Sequence, residues 1–425
     1  MAIFKIIGGQ KLNGEFTPTG AKNAALKMIA ASVMIPGKTL LKNVPRILDI
    51  SEMINVIESI GAKIKFEGDI LEIDSSAVNS FYPSSEFINK LRGSVVIIGP
   101  LLAKFGQAKF SEPGGCLIGS RPIDTHLKAF FDLDVHIDRD EKNQNYILDG
   151  RKNFSGKNKV VILDEMSVTA TENVLMAAVL RKGITTIKIA ACEPEIVDLA
   201  NFLNNSGAKI TGAGTHTIII EGVKKLHPSE HTIIPDRIEI GTIMIAAAIC
   251  GGKVVIKNAI PDHLELVFNK FRHARVDFGV KYNEDRADIY IEQKEKLQAT
   301  NIDTRPYPGF PTDLQSPFAI LATQAKGKSK IFETLFSSRF DYIKSLLKMA
   351  ASIEIESPHI VNITGPTDLN GEKIICSDLR GGAALVLAAM VARGKTEIED
   401  IRYIDRGYEN FDQRLNQLGA KIERI

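Results

Sequence analysis

One motif, written six times, constrains this chain more than anything else in it. A glycine that opens a short alternating strand recurs at Gly37 (GKTLLKNVP), Gly106 (GQAKFSEPG), Gly183 (GITTIKIAA), Gly252 (GKVVIKNAIP), Gly327 (GKSKIFETLF) and Gly394 (GKTEIEDIRY), at intervals of 67 to 77 residues. Each follows an apolar stretch of helical period rich in small residues, such as NAALKMIAASVMIP, ENVLMAAVLRK, GTIMIAAAICG and GAALVLAAMVAR. The local pattern predicts a helix, a glycine C-cap and a strand. A second helix running into a strand closes each unit, as in VIESIGAKIKF, ANFLNNSGAKI and LNQLGAKIERI.

Helices that are small and apolar on every side have to be covered on every side. The chain is therefore predicted to be α/β, an inside-out barrel-like arrangement with the first helix of each unit inside and the sheets outside. Its 425 residues exceed the roughly 250–300 at which a single core stops growing, so two domains of three βαβαβ-type units each are expected.

Charge narrows the function. Lys and Arg number 53 against 51 Asp and Glu, a net charge of +2, far from the dense basic surface that nucleic-acid binding by counterion release requires. Any anion is met in a local site. The longest apolar run, IGTIMIAAAIC, is well short of the ~20 residues that span a bilayer. The start, MAIFKIIGGQKLNGEF, carries charge too early for a secretory leader. No membrane partner and a cytoplasmic location are expected. The four cysteines, Cys116, Cys192, Cys250 and Cys376, show neither a disulfide framework nor zinc-like spacing, and no metal or other cofactor is indicated. Cys192, Cys250 and Cys376 read as packing residues.

The repeat also places chemistry. Lys22, Arg92, Ser167, Arg237, Asp313 and the pair Asp378 and Arg380 fall at the starts of the six inner helices. Capping accounts for Ser167, Asp313 and Asp378. It does not account for the cations, which oppose the helix dipole. Cations beside helix N-H groups make a site for phosphate or carboxylate. Cys116 lies among Gly114, Gly115 and Gly119 with Arg121 five residues on, a setting that would favour its thiolate. Asp405 and Arg406 are either a surface ion pair or part of a specific loop. Gly-Lys-Thr at 37–39 and 394–396 is not a P-loop, because the lysine follows a helix and the earlier glycine is missing.

Taken in order, GAKNAALK (20–27), LRGSVVIIGPLLAKFGQA (91–108), PGGCLIGSRPIDTHL (113–127), SVTATENVLMAAVL (167–180), EPEIVDLANFL (193–203), IIPDRIEIGT (233–242), FPTDLQ (310–315), SDLRGGAALVLA (377–388) and YIDRGYE (403–409) resemble the UDP-N-acetylglucosamine 1-carboxyvinyltransferases of the EPSP synthase superfamily. The resemblance runs end to end. It implies two inside-out α/β domains around a cleft, one formed by 1–21 with 236–425 and bearing the phosphoenolpyruvate-side arginines, the other by 22–235 and bearing the Cys116 loop. It further implies enolpyruvyl transfer from phosphoenolpyruvate to the 3-hydroxyl of UDP-N-acetylglucosamine with release of phosphate, the step that opens bacterial peptidoglycan synthesis, with no cofactor.

By that resemblance Asp313 is the base and Cys116 the acid, with Asp378 a second acid/base candidate. Lys22, Arg121 and Arg406 hold phosphate and Arg380 the carboxylate. Asn23, Arg92, Leu335 and the loop Arg121, Pro122, Ile123, Asp124 and Thr125 contact the nucleotide sugar, as does the run Glu165, Met166, Ser167, Val168 and Thr169, and Arg339 is a further substrate-binding residue. Here the chain departs from its relatives. Glu165 stands where a diphosphate-binding lysine can occur, Thr169 replaces a glycine, Cys192 replaces an arginine, and ETLFSSRF lacks the usual Glu-Asn. The 3-phosphoshikimate 1-carboxyvinyltransferases share fold and chemistry, but PGGC, KNAALK and IDRGYE favour the UDP-sugar enzymes. A binding protein without turnover is the alternative from another class, and oligomeric state is not indicated.

Overall fold

The small, apolar stretches become helices buried on every face. In a computed structural model that describes residues 2–114, 123–142, 144–151 and 156–425, they are α1 (Lys22–Ser32), α2 (Ile98–Phe105, entered through a 3-10 turn over Arg92–Ile97), α3 (Val168–Val179), α4 (Arg237–Cys250), α5 (Gln315–Gln324) and α6 (Leu379–Val391). Every residue of α4 from Arg237 to Ala248 is buried, as is every residue of α6 from Leu379 to Met390. Small residues permit the close helix packing this requires. A Cβ added at Gly99 of α2 would lie 2.4 Å from the carbonyl oxygen of Asn173 in α3.

The chain separates into two units, which change over between Thr19 and Gly20 and again between Ile234 and Pro235. Residues 20–234 pack around α1, α2 and α3, whereas residues 2–19 and Pro235–Ile425 pack around α4, α5 and α6. Each unit has its own continuous apolar core and three sheets, all four-stranded except one, which has three strands among the described residues.

The sheets alternate buried and exposed side chains, as expected where one face covers helices and the other meets water. Among the described residues, five of the six strands that follow the marker glycines pair in parallel with a strand of the chain on one side. On the other side, antiparallel partners complete the sheets. In the last unit the antiparallel partner of Lys395–Glu399 is the first strand of the chain, Ile3–Ile7, which also pairs with Ile422–Arg424. The N-terminal strand thus fills the place that a hairpin strand takes in the other units.

All six marker glycines have positive φ, from 67° to 117°. Only Gly106 is itself a helix cap. The others lie further on, at the turn into the strand, so the general C-cap expectation is corrected: the left-handed residue is needed where the chain reverses, and that is usually beyond the last helical turn. Among the described residues no helix is long and apolar enough to cross a membrane.

Candidate active site

Two groups of candidate residues form, one in each unit. In residues 20–234, Lys22 is the first residue of α1, followed by Asn23. Lys22 Nζ donates to Asp49 Oδ2 at 3.0 Å, and both side chains are largely buried. Asp49 stands in the first turn of the helix Leu48–Glu58. Arg92 opens the 3-10 turn before α2, and its Nη1 donates to the carbonyl of Pro113 at 3.3 Å. The next residue, Gly114, is in contact with Asn89, whose carbonyl oxygen a Cβ would approach to 1.9 Å. The approach to the glycine-rich loop is therefore fixed from two sides. Cys116, Arg121 and Pro122 lie outside the described residues.

Beyond that loop, Ile123 is buried and Asp124 starts the helix Asp124–Asp132. Thr125 donates to Glu165 Oε1 at 3.3 Å, so Glu165 is an acceptor two residues before the cap of α3. Met166 is exposed. Ser167 caps α3, accepting from the Ala170 amide, and Val168 and Thr169 form its first turn.

Behind Thr169 runs a buried polar chain. Asn173 Nδ2 donates to Val95 O and to His126 Nδ1, both at 2.9 Å, and its Oδ1 accepts from Gly99 N at 2.8 Å. Because the amide nitrogen can only donate, Nδ1 of His126 is the acceptor, and Nε2 carries the hydrogen toward Thr169 Oγ1, 3.1 Å away. Burial, with Arg92 adding, pushes His126 down to about 3, so the ring is neutral at working pH.

Deeper in the same unit, Lys27 and Glu172 form a pair 3.6 Å apart with side chains 5% and 0% exposed. Burial pushes Glu172 up to about 8, against the pull of Lys27 and with Glu195 and Glu193 adding. The folded state then binds more protons than the unfolded chain between about 4.5 and 8. This contribution is present at low pH and is lost as pH rises to about 8. His126 acts in the opposite sense, but only below about 6.5. Thermal denaturation between pH 6.5 and 8 should show stability falling by at most about 1.4 kcal/mol per pH unit from this group. Glu172→Gln should flatten that fall, and an equally steep fall in the variant would remove Glu172 as its source.

In the other unit, Asp313 stands in a 3-10 turn, Thr312–Leu314, leading into α5. It does not cap the helix, contrary to the simpler expectation. Its Oδ1 accepts from Arg339 Nη2, and its Oδ2 accepts from Arg380 Nε at 3.1 Å and Nη2 at 3.0 Å. The side chains of Arg339 and Arg380 are 4% and 3% exposed, that of Asp313 27%. The Arg380 guanidinium also lies 5.4 Å from the Tyr408 ring centroid, and Tyr408 is anchored through Thr242 at 3.0 Å. Burial alone would disfavour the Arg380 charge, but Asp313, Tyr408 and Asp236 outweigh it.

Asp378 does cap α6: its Oδ1 accepts from Arg380 N at 3.0 Å and Gly381 N at 2.9 Å. Capping and the placing of Arg380 are thus one act. Leu335 is 40% exposed. Arg406 follows the short helix Arg402–Asp405 and is not the partner of Asp405, which pairs with Arg424. The surface-pair alternative for Asp405 and Arg406 is corrected accordingly, because the C-terminal strand brings Arg424 to Asp405. Arg237, at the start of α4, faces the Tyr307 ring at 5.5 Å. Burial raises the thiols of Cys192, Cys250 and Cys376, which suits packing more than nucleophilic chemistry.

Asp49, His126, Asn173 and Glu333 escape a sequence reading. Each is an ordinary polar residue, and only its partner, 27 to 47 residues away, gives it meaning.

Residues 6–415 match the family described as EPSP synthase (3-phosphoshikimate 1-carboxyvinyltransferase). The chain is 46% identical to UDP-N-acetylglucosamine 1-carboxyvinyltransferase 1 of Caldanaerobacter subterraneus subsp. tengcongensis over 97% of both chains. It is also 46% identical to the UDP-N-acetylglucosamine 1-carboxyvinyltransferase of Finegoldia magna, over 100% of this chain and 99% of that one. In fold it is similar to the enolpyruvyl transferase NikO from Streptomyces tendae, with a TM-score of 0.88 at 22% identity, covering 100% of this chain and 98% of the other. It is also similar to EPSP synthase from Acinetobacter baumannii, with a TM-score of 0.77 at 18% identity and 100% coverage of both. With its six repeated units and its match over nearly its whole length, the chain belongs to the EPSP synthase family of enolpyruvyl transferases.

Proposed function

We propose that this enzyme transfers the enolpyruvyl group of phosphoenolpyruvate to the 3-hydroxyl of UDP-N-acetylglucosamine and releases inorganic phosphate. The observation that carries the choice of acceptor is the 46% identity, over 97% and 100% of the chain, to two proteins bearing that activity in their names. The solved structures support the fold alone.

The chemistry follows from the residues. Asp313 takes the proton of the 3-hydroxyl as its oxygen bonds to C2 of phosphoenolpyruvate, and Cys116 gives a proton to C3, so the double bond becomes a tetrahedral ketal. In the second half a proton leaves C3, the double bond re-forms, and the C2-O bond to phosphate breaks. Cationic groups stabilise the charge that builds on carboxylate and phosphate. Arg380 suits the carboxylate, because its guanidinium is already desolvated and oriented by Tyr408. Lys22, Arg121 and Arg406 suit the phosphate. Asp378 acts first by holding Arg380 in place and is the second acid/base candidate.

On this reading the nucleotide sugar meets Asn23, Arg92, Thr125, Ser167, Val168, Thr169 and Leu335, with Arg339 a further substrate contact. The part formed by 22–235 carries the Cys116 loop, and the part formed by 1–21 with 236–425 carries Arg380 and Arg406.

A phosphate-release assay with phosphoenolpyruvate and each acceptor in turn tests the proposal. Release is expected with UDP-N-acetylglucosamine and not with 3-phosphoshikimate. The reverse pattern would overturn the choice of acceptor, and tight UDP-N-acetylglucosamine binding without release from either would overturn turnover itself. Cys116→Ser should slow the same assay by roughly 10²–10⁴-fold, the range of a positioned proton donor, with unchanged thermal stability. Full activity in that variant would remove Cys116 as the acid.

A further inference from the structure

Glu333 is fully buried at the end of the strand Gly327–Phe332. Its carboxylate gathers four donors from three places in the sequence. Oε1 accepts from Thr304 Oγ1 at 2.9 Å, Leu335 N at 2.9 Å and Phe336 N at 3.3 Å, and Oε2 accepts from Thr312 Oγ1 at 2.7 Å. Thr312 precedes Asp313, and Leu335 opens the turn that leads to Arg339. Arg339 returns to the same place, its Nη2 donating to Asp313 Oδ1 and to Thr312 O. The segment 333–339 is therefore tied to the turn of Asp313 at both ends, by Glu333 at one and Arg339 at the other. The backbone of Glu333 is itself held, with N donating to His359 O at 2.8 Å and O accepting from His359 Nδ1 at 2.7 Å.

Burying a carboxylate is costly unless its oxygens are satisfied, and a smaller hydroxyl would serve for simple turn closure. A buried carboxylate that gathers donors on both sides of Asp313 does more than close a turn. We infer that Glu333 is a positioning residue for enolpyruvyl transfer, locking the turn of the base Asp313 and the turn of the sugar contact Leu335 into one register. The inference rests on Asp313 being the base, as proposed above. The demand is geometric, since a displacement of about 1 Å in a reacting group can cost roughly 10²-fold in rate.

The test is steady-state kinetics with thermal denaturation on three variants of the full chain. Thr312→Val removes one hydroxyl at nearly constant volume. It should lower kcat about tenfold or more while leaving the KM for phosphoenolpyruvate within about twofold, because Arg380 is also held by the Tyr408 ring and by the Asp378 cap. Glu333→Gln should restore most of kcat relative to Glu333→Leu. The amide oxygen can keep the two backbone N-H bonds, and the amide nitrogen can donate to Thr312 Oγ1. A Thr312→Val enzyme with wild-type kcat would overturn the inference, as would losses in all variants that track only the fraction of folded protein. Asp313→Asn in the same assay separates the two ideas. If it is inactive while Thr312→Val is fully active, Glu333 does not position the base. If Asp313→Asn is fully active, the assignment of the base falls and the inference with it.

Discussion

Replacing Asp313 with asparagine should lower kcat by roughly 10²–10⁴-fold, the range that a positioned general base contributes. The substitution preserves shape and leaves one oxygen to accept from Arg339 or Arg380, whose present bonds occupy both carboxylate oxygens. Removing the carboxylate charge leaves two guanidiniums, 4% and 3% exposed, without their anion, so thermal stability should fall by about 3–5 kcal/mol and turnover is compared per folded enzyme. The amide group, however, points N-H toward a guanidinium on one side and cannot take a proton. Rapid-quench measurement of phosphate release distinguishes a chemical defect from a binding one: a normal first turnover would show that Asp313 is not the base. Two guanidiniums beside a base also mean that anionic substrate and Asp313 share the same cations, so kcat should suffer more than the KM for UDP-N-acetylglucosamine.

Arg380→Lys should raise the KM for phosphoenolpyruvate by roughly 10–100-fold and destabilise the protein by a few kcal/mol. Each hydrogen bond to a charged group that is lost costs about 1.5–3 kcal/mol. Lysine restores the charge but not the fork. It offers one ammonium where Arg380 offers Nε and Nη2 to Asp313 and a flat face to Tyr408. Initial rates over a phosphoenolpyruvate series, together with thermal denaturation, check both parts. A lysine variant with an unchanged KM for phosphoenolpyruvate would rule out carboxylate binding by Arg380.

The six inner helices were legible because their signal is local: small apolar residues on every helical face, followed by a glycine and an alternating strand. So was the placing of Lys22, Arg92, Ser167, Arg237, Asp313 and Asp378 at the starts of those helices, which the six-fold spacing forces. The capping alternative illustrates where such reading stops. It holds for Ser167 and Asp378, whose oxygens accept from amides two or three residues on, and it fails for Asp313, whose partners are 26 and 67 residues away.

Nothing local distinguishes these aspartates. The same limit explains Asp405, which finds Arg424 and not its neighbour Arg406, and His126, whose tautomer depends on Asn173 in another helix. It also explains the last sheet, completed by the first strand of the chain.

Periodicity and small-residue content decided the α/β class, the six units and the places where function could sit, because burial acts on patterns of neighbouring residues. Which carboxylate became a cap, which a receiver for two arginines and which a buried brace like Glu333 was decided by the tertiary structure. A buried charge takes its role from whichever donors packing brings within about 3 Å, and here those donors come from elsewhere in the chain.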